Sequence, residues 1–465
     1  YGPNGSDTVG GVAERWDISS DGLVYTFHLR GDAKWSNGDP VTAGDFVRSY
    51  QRILTPELAA EYAYKFAAVI GADEYQHGVL KDFSQVGLKA IDARTLEIRL
   101  KYRVPFLLEA MKHYAWYPVH IPTVEKYGGL AARGTAWTRA ENLVGNGPFV
   151  LKSWRPGQVI VAERSPTYWD RDAVKLDAIH FFPTENLETE ERMFRTGQLH
   201  KTYELPASKL DVYQRDFPDS YRSDPYYGSY FFRFNTTRKP LDDVRVRRAL
   251  SLAIDRESLA RNVVRGGMQP AYGLAPSSAK FAPRAKLTGD VAEARRLLAD
   301  AGFPEGRGFP RLDLLYNTQE NHRRICEALQ EMWRRNLGIE VGLVNQEWKV
   351  YISSMDRLDY DIARGGWIGD YDDPNSFYDT FVTGGGNNRT GWSSARYDQL
   401  LRDTGQAADE PARMELYQQM EQIIVDELPI MPVYFYRKVY ALSPKVHWPP
   451  NVLDNQNWKF VWLKE

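Results

Sequence analysis

At 465 residues the chain exceeds one ordinary core, and its length predicts roughly three domains or lobes with room for a cleft. Its 59 basic and 61 acidic residues nearly cancel to a formal net charge of −2, so no footprint for nucleic acid or an anionic membrane surface is present. With 43% hydrophobic and 26% charged residues and no apolar run of about 18 or more, the composition describes a globular chain that does not itself cross a bilayer. Cys326 is the only cysteine, which leaves no intrachain disulfide, no Cys-based zinc site and no N-terminal lipobox in this chain. The 13 Trp and 28 Tyr exceed what a core usually requires and suit a groove for an extended ligand. The sequence as read contains neither a signal nor a transit peptide and Tyr1 leads directly into YGPNGSDTVGG, so the start is expected to be trimmed.

In chain order, VYTFHLR at 24 to 30 alternates like a half-buried strand, and Asn37-Gly38 marks a turn before TAGDFVRSYQRIL. There Thr42 is the expected helix N-cap, with Phe46, Tyr50 and Ile53 at helical spacing. Further strands are expected at 95 to 100 and 158 to 163. From about residue 178 the pattern reads strand (AIHFFP), helix ended by Gly197, strand (KTYEL). It recurs as LDLLYN at 312 to 317, a helix closed by Gly338, and IEVGLV at 339 to 344. Both stretches read as βαβ units and imply parallel sheet in separate α/β lobes, with the ligand in an interlobe cleft. Helices at 242 to 254, 290 to 301 and 411 to 428 complete the chain, the last carrying Met414, Tyr417, Met420 and Ile424 on one stripe.

Chemistry concentrates in IARGGWIGDYDDPNSF, residues 362 to 377, where Asp370, Asp372 and Asp373 follow a strand-like run. A calcium loop starting at Asp370 would need an oxygen ligand at its fifth place and Gly at its sixth, where Pro374 and Asn375 stand. Carboxylates this close in sequence rarely straddle a glycosidic bond, although a partner could come from elsewhere, so a glycoside hydrolase in an aromatic groove stays as a remote alternative. Asp372 and Asp373 suit turn or helix caps; Asp370, nearest the strand end, divides evenly between a cap and a ligand contact. No Walker A loop, HExxH, GxSxG or dinucleotide GxGxxG in strand-turn-helix context occurs. His322, after the strand LDLLYN, is expected to be solvated at a helix start. Gly365, Gly366 and Gly369 around Trp367 either form a bulge or let another backbone approach, so that an extended peptide could add as a strand.

These residues, with GVAERWDISSDGLVYTFHLRGDAKWSNGDPVTAGDFVRSYQRI, GNGPFVL at 145, RSPTYWD at 164, DVRVRRALSLAIDR at 243, RRLLADAGF at 295 and NLGIEVGLVNQEWKVY at 336, carry a resemblance. The chain resembles the family 5 extracellular solute-binding proteins, the oligopeptide-binding components of bacterial ABC importers, over essentially its whole length. The resemblance implies an α/β, bilobed periplasmic-binding-protein-like fold of two mixed lobes with a hinge, plus an extra α+β domain. By analogy, residues 1–120 form the extra domain, 121–227 with 438–465 form most of lobe one, and 228–437 form lobe two. The family's usual strands before YGPNG are missing from the chain.

The same resemblance implies ligand-binding roles. Asp370 would accept a peptide's α-ammonium, and the backbone of Gly365, Gly366, Trp367 and Ile368 would pair with the peptide, with Trp367 flanking it. Tyr62 would contribute from the extra domain, and Arg364 and His322 would face ligand carboxylates. Arg233 stands where a relative has an acidic pocket residue, shifting preference toward acidic or neutral peptides. Gly228 and Ile368 stand where enteric relatives carry cysteines. The expected protein is a periplasmic or outer-face receptor, monomeric, with no metal and no cofactor, that passes short peptides to ABC importer permease subunits without bond chemistry. Relatives that bind cell-wall peptides, nickel complexes, haem or oligosaccharides supply the alternative ligands on the same scaffold, and a retained Asp370 favours one bearing an amine.

Overall fold

A computed structural model describes residues 2, 8–278, 280–287, 290–453 and 456–464. Most of YGPNG therefore lies outside the described residues. The chain forms two units: Tyr1–Thr184 with Lys445–Asn451 and Asn455–Glu465, and Glu185–Pro444 with Val452–Asp454.

In the first unit, β1 (Ala13–Ile18), β2 (Val24–Leu29), β3 (Leu88–Asp92) and β4 (Thr95–Arg99) make an antiparallel sheet in the order β1-β2-β4-β3. The alternation of VYTFHL puts Tyr25, Phe27 and Leu29 inward, as a period-two pattern demands. Helix α1 (Ala43–Leu54) lies on this core and starts at Thr42 with a complete capping box: Thr42 Oγ1 accepts Asp45 N–H, and Asp45 Oδ2 accepts Thr42 N–H at 2.7 Å. Its buried Tyr50 packs edge-on against Trp116. A second antiparallel sheet joins β5 (Phe149–Arg155), β6 (Val159–Arg164) and β7 (Ala178–Phe181) in that order.

The first expected βαβ unit does not form. Its helix exists as α2 (Leu187–Arg195), capped by Asn186, but β7 pairs antiparallel with β6, and 201 to 205 is not a strand. The Glu190 carboxylate takes the Tyr203 N–H, while the Thr202 and Leu205 N–H groups go to Ala441 and Val439 carbonyls at 2.9 and 3.0 Å. The segment therefore ties to β13 and not to β7.

The second unit is built on a six-stranded mixed sheet. Its strands are β8 (Tyr221–Phe234), β9 (Gln269–Pro270), β10 (Leu312–Asn317), β11 (Val341–Gln346), β12 (Ile362–Ile368) and β13 (Ile430–Ala441), in the order β11-β10-β12-β8-β13-β9. Here the expected βαβ unit does form: β10 and β11 are parallel, joined by α5 (Glu320–Leu337), which ends on left-handed Gly338. Helices α3 (Val244–Leu252) and α4 (Val291–Asp300) join α5 on one face, burying Leu250, Leu298, Leu329 and Trp333 against Tyr230, Phe232 and Phe234 of β8. Helix α6 (Trp348–Asp356) covers the other face, where Tyr351, Met355 and Tyr360 meet Leu315 and Ala363. Short α7 (Asn375–Tyr378), α8 (Ala395–Thr404) and α9 (Glu410–Glu427) complete the unit.

Candidate functional site

The site begins with a strand that runs out of neighbours on one side. Along its whole length β12 pairs antiparallel with β8, from Ile362 opposite Phe234 to Ile368 opposite Gly228, with no register shift. On its other side it pairs with β10 only through Leu314↔Ile362 and Leu315↔Ala363. From Arg364 to Ile368 that edge takes no strand partner among the described residues. Strand alternation says which groups face it. Gly369 N–H points to Tyr227 O on the β8 side, whereas Arg364 O accepts the Tyr351 hydroxyl on the other. Gly366 and Ile368, in phase with Arg364, therefore present N–H and C=O to the open edge. The unbroken register excludes the bulge considered for this stretch.

The glycines admit side chains from neighbouring strands. A Cβ on Gly365 would lie 2.5 Å from Arg233 Nη1, one on Gly366 would lie 2.9 Å from Tyr436 Oη, and one on Gly369 would lie 2.6 Å from the Tyr227 ring. Gly228 leaves room for Ile368 directly across the pair, where an added Cβ would meet Ile368 Cδ1 at 2.3 Å.

Opposite faces of β12 carry different groups at the same level. On one, Arg364 lies over the Tyr230 ring at 4.8 Å and donates to Tyr436 Oη at 3.0 Å. His322, on the first turn of α5, shares a 3.3 Å hydrogen bond with Tyr230 Oη. The expectation of a solvated His322 is overturned: it is 8% exposed, and burial, followed by the Arg364 charge, pushes its pKa well below the ordinary value. The ring is therefore neutral, and can offer a hydrogen bond without a charge. On the other face Arg233 is 4% exposed, with its guanidinium 5.0 Å from the Phe231 ring centroid. Burial lowers its pKa, no carboxylate within 4.0 Å offsets its charge among the described residues, and its Nε has no hydrogen-bond partner there.

The three aspartates separate. Asp373, 2% exposed, accepts both arms of Arg413 at 2.9 and 2.8 Å, and its Oδ1 takes the Asn375 N–H at 3.0 Å. It is thus the turn cap expected and the anchor of α9 as well. Asp370 stands at the end of β12, its N–H donated to Ser376 Oγ at 2.7 Å. Asp372 is half-buried between them.

The second unit thus brings Arg233, His322, Arg364 to Ile368 and Asp370 onto and around one strand. Trp367 lies on the Arg233 face, paired opposite Ser229. Tyr62 belongs to the first unit, where its ring packs 4.4 Å from that of His113. Sequence reasoning missed Tyr351 and Tyr436, which bond the Arg364 carbonyl and guanidinium. They come from segments far apart in the chain, and only the sheet order assembles them.

Comparisons with known proteins point to one family. The family model "Bacterial extracellular solute-binding proteins, family 5 Middle" matches residues 7–389. The periplasmic oligopeptide-binding protein OppA of Escherichia coli K12 is 36% identical over 449 residues, covering 94% of this chain and 80% of that protein. Among solved structures, the E. coli murein tripeptide binding protein MppA superposes with a TM-score of 0.93 at 32% identity, covering 99% of this chain and 92% of that one. Haemophilus influenzae OppA in complex with RPPGFSPFR superposes with a TM-score of 0.92 at 31% identity, over the same shares of the two chains.

Proposed function

This chain belongs to the family 5 bacterial extracellular solute-binding proteins, and we propose from that premise that it captures short peptides and hands them to the permease subunits of an ABC importer. The observation that carries the reading is the open edge of β12 over Arg364 to Ile368, the place where an extended peptide can add as a strand. Main-chain pairing there explains how one receptor accepts varied side chains, since N–H and C=O groups are common to every residue.

Asp370, at the end of this edge, receives the peptide's α-ammonium. A charge-assisted bond of that kind contributes on the order of 1.5–3 kcal/mol. Peptide side chains then alternate between the two faces of the sheet. On one they meet Arg233 and Trp367, where an unmatched guanidinium favours acidic or neutral groups. On the other they meet Arg364 and neutral His322, which receive carboxylate oxygens. The protein works as a monomer outside the cytoplasmic membrane, by binding and release, with no cofactor and no bond chemistry. OppA of E. coli is named as periplasmic and peptide-binding, and the H. influenzae relative holds a peptide, both of which support this assignment.

Native mass spectrometry of the purified protein tests it. Release and sequencing of co-purified ligands of peptide mass is the expected result. Retention of a sugar, a metal complex or haem, with no affinity for added peptides, overturns the reading.

A further inference from the structure

Glu204 matches none of the positions read from sequence, yet it lies beside the open edge. The Thr202 and Leu205 N–H groups on either side are tied to β13, which fixes the backbone that carries it. Its Oε1 accepts Asn321 Nδ2 at 2.7 Å and its Oε2 accepts Gln319 Nε2 at 3.1 Å. Both donors are neutral amides. No Lys or Arg nitrogen lies within 4.0 Å of the carboxylate among the described residues. Arg364, whose charge reaches it, is turned instead to Tyr436 and Tyr230.

The surroundings are rich in acceptors. Because the Gln319 amide nitrogen faces the carboxylate, its orientation is fixed and Oε1 turns elsewhere, closed to solvent and without a partner among the described residues. Asn317 Oδ1, at the end of β10 where that strand leaves β12, is in the same condition. A carboxylate offers about four acceptor positions, and two of these are filled. What remains, together with the Gln319 oxygen, fits a group with several N–H donors and a positive charge.

We propose that Glu204, held by Gln319 and Asn321, is a specificity subsite for a cationic side chain, lysine or arginine, of the peptide bound along β12. The inference rests on the peptide reading. It assigns the Arg364 face a mixed character, in which a cationic side chain is taken at Glu204 while Arg364 stays available to a carboxylate. Burial, countered by the two amides and reinforced by Glu190 of α2, lifts the Glu204 pKa to about 7. Arg364 of β12 and Tyr434 and Tyr436 of β13 are the other ionisable groups that sense it. An arriving ammonium favours the ionised form, so binding of a lysine peptide releases a proton near neutral pH.

The test is calorimetry on the intact chain with alanine-based peptides of two to five residues that place lysine or its uncharged isostere norleucine at each position. At one position the wild type is expected to prefer lysine by roughly 10-fold or more. Proton release, read from buffers of different ionisation enthalpy, should accompany lysine and not norleucine at that position. The near-isosteric Glu204→Gln should collapse the ratio toward one, with its melting temperature as the check on folding. The proton measurement needs no variant. Peptide binding with no lysine preference or proton release at any position, or a preference that survives Glu204→Gln, overturns the subsite. Failure of every peptide, the norleucine series included, overturns the peptide reading and the subsite with it.

Discussion

Two buried arginines of the second unit show opposite arrangements. Arg413 on α9 is 5% exposed and meets Asp373 through two short parallel bonds, so its charge is answered by a carboxylate. Arg233 on β8 is as deeply buried, but faces an aromatic ring and the bare backbone of Gly365 with no carboxylate beside it among the described residues. Withdrawing a guanidinium from water without a partner costs several kcal/mol, which the rest of the fold must offset. The pair at α9 closes a corner of the structure; the group on β8 has no such carboxylate partner among the described residues. Glu421 refines the contrast. It is fully buried and has no cation within 4.0 Å among the described residues, yet Tyr378 Oη and the Leu274 N–H donate to its two oxygens at 2.8 and 2.6 Å. A missing counter-charge alone therefore does not mark a ligand site.

This contrast can be broken by substitution. Arg413→Ala leaves the Asp373 charge buried and should destabilise the unit by about 3–5 kcal/mol in urea unfolding; a loss below about 1 kcal/mol would remove the structural role given to the pair. Glu421 sharpens the middle case through pH. Burial raises its pKa to about 7, so the native state binds its proton more tightly than the unfolded chain, and its effect on stability worsens as pH rises from about 4.5 to about 7. Glu421→Gln should remove that limb, a difference on the order of 1–3 kcal/mol between the two ends of the window, and an unchanged profile would place the titration elsewhere. The smallest effect belongs to Arg233→Met, which should leave stability unchanged or raise it by about 1 kcal/mol while lowering the preference for glutamate over glutamine in bound peptides. A large loss of stability would make Arg233 a structural residue like Arg413.

Local signals in the sequence predict local structure well. Thr42 and Asp45 form the box that their spacing implies, and residues 312 to 346 fold as the βαβ unit that their periods imply. The 178 to 205 stretch carries a similar pattern and folds otherwise: its last segment bonds to β13, more than 200 positions on, and its first strand pairs antiparallel with β6. The β12–β8–β13 pairing joins residues 128 to 220 positions apart, and no local period encodes it. Within the candidate site, Asp370 and the Gly365 to Ile368 backbone can be singled out from the sequence because they share one short run. His322 was misjudged as solvated, since its burial is set by Tyr230 of β8, 92 positions away. Glu204 and Tyr436 carried no signal short of the sheet order.

The central claim, that a peptide lies along β12 with its amine at Asp370, is tested most directly by calorimetry of one peptide, free and N-acetylated, on the wild type and Asp370→Ala. The account predicts that acetylation weakens wild-type binding by roughly 10-fold or more, that Asp370→Ala weakens the free peptide to a similar degree, and that acetylation costs the variant little further. Equal affinity of the wild type for both forms, or a full acetylation penalty persisting in the variant, would contradict it.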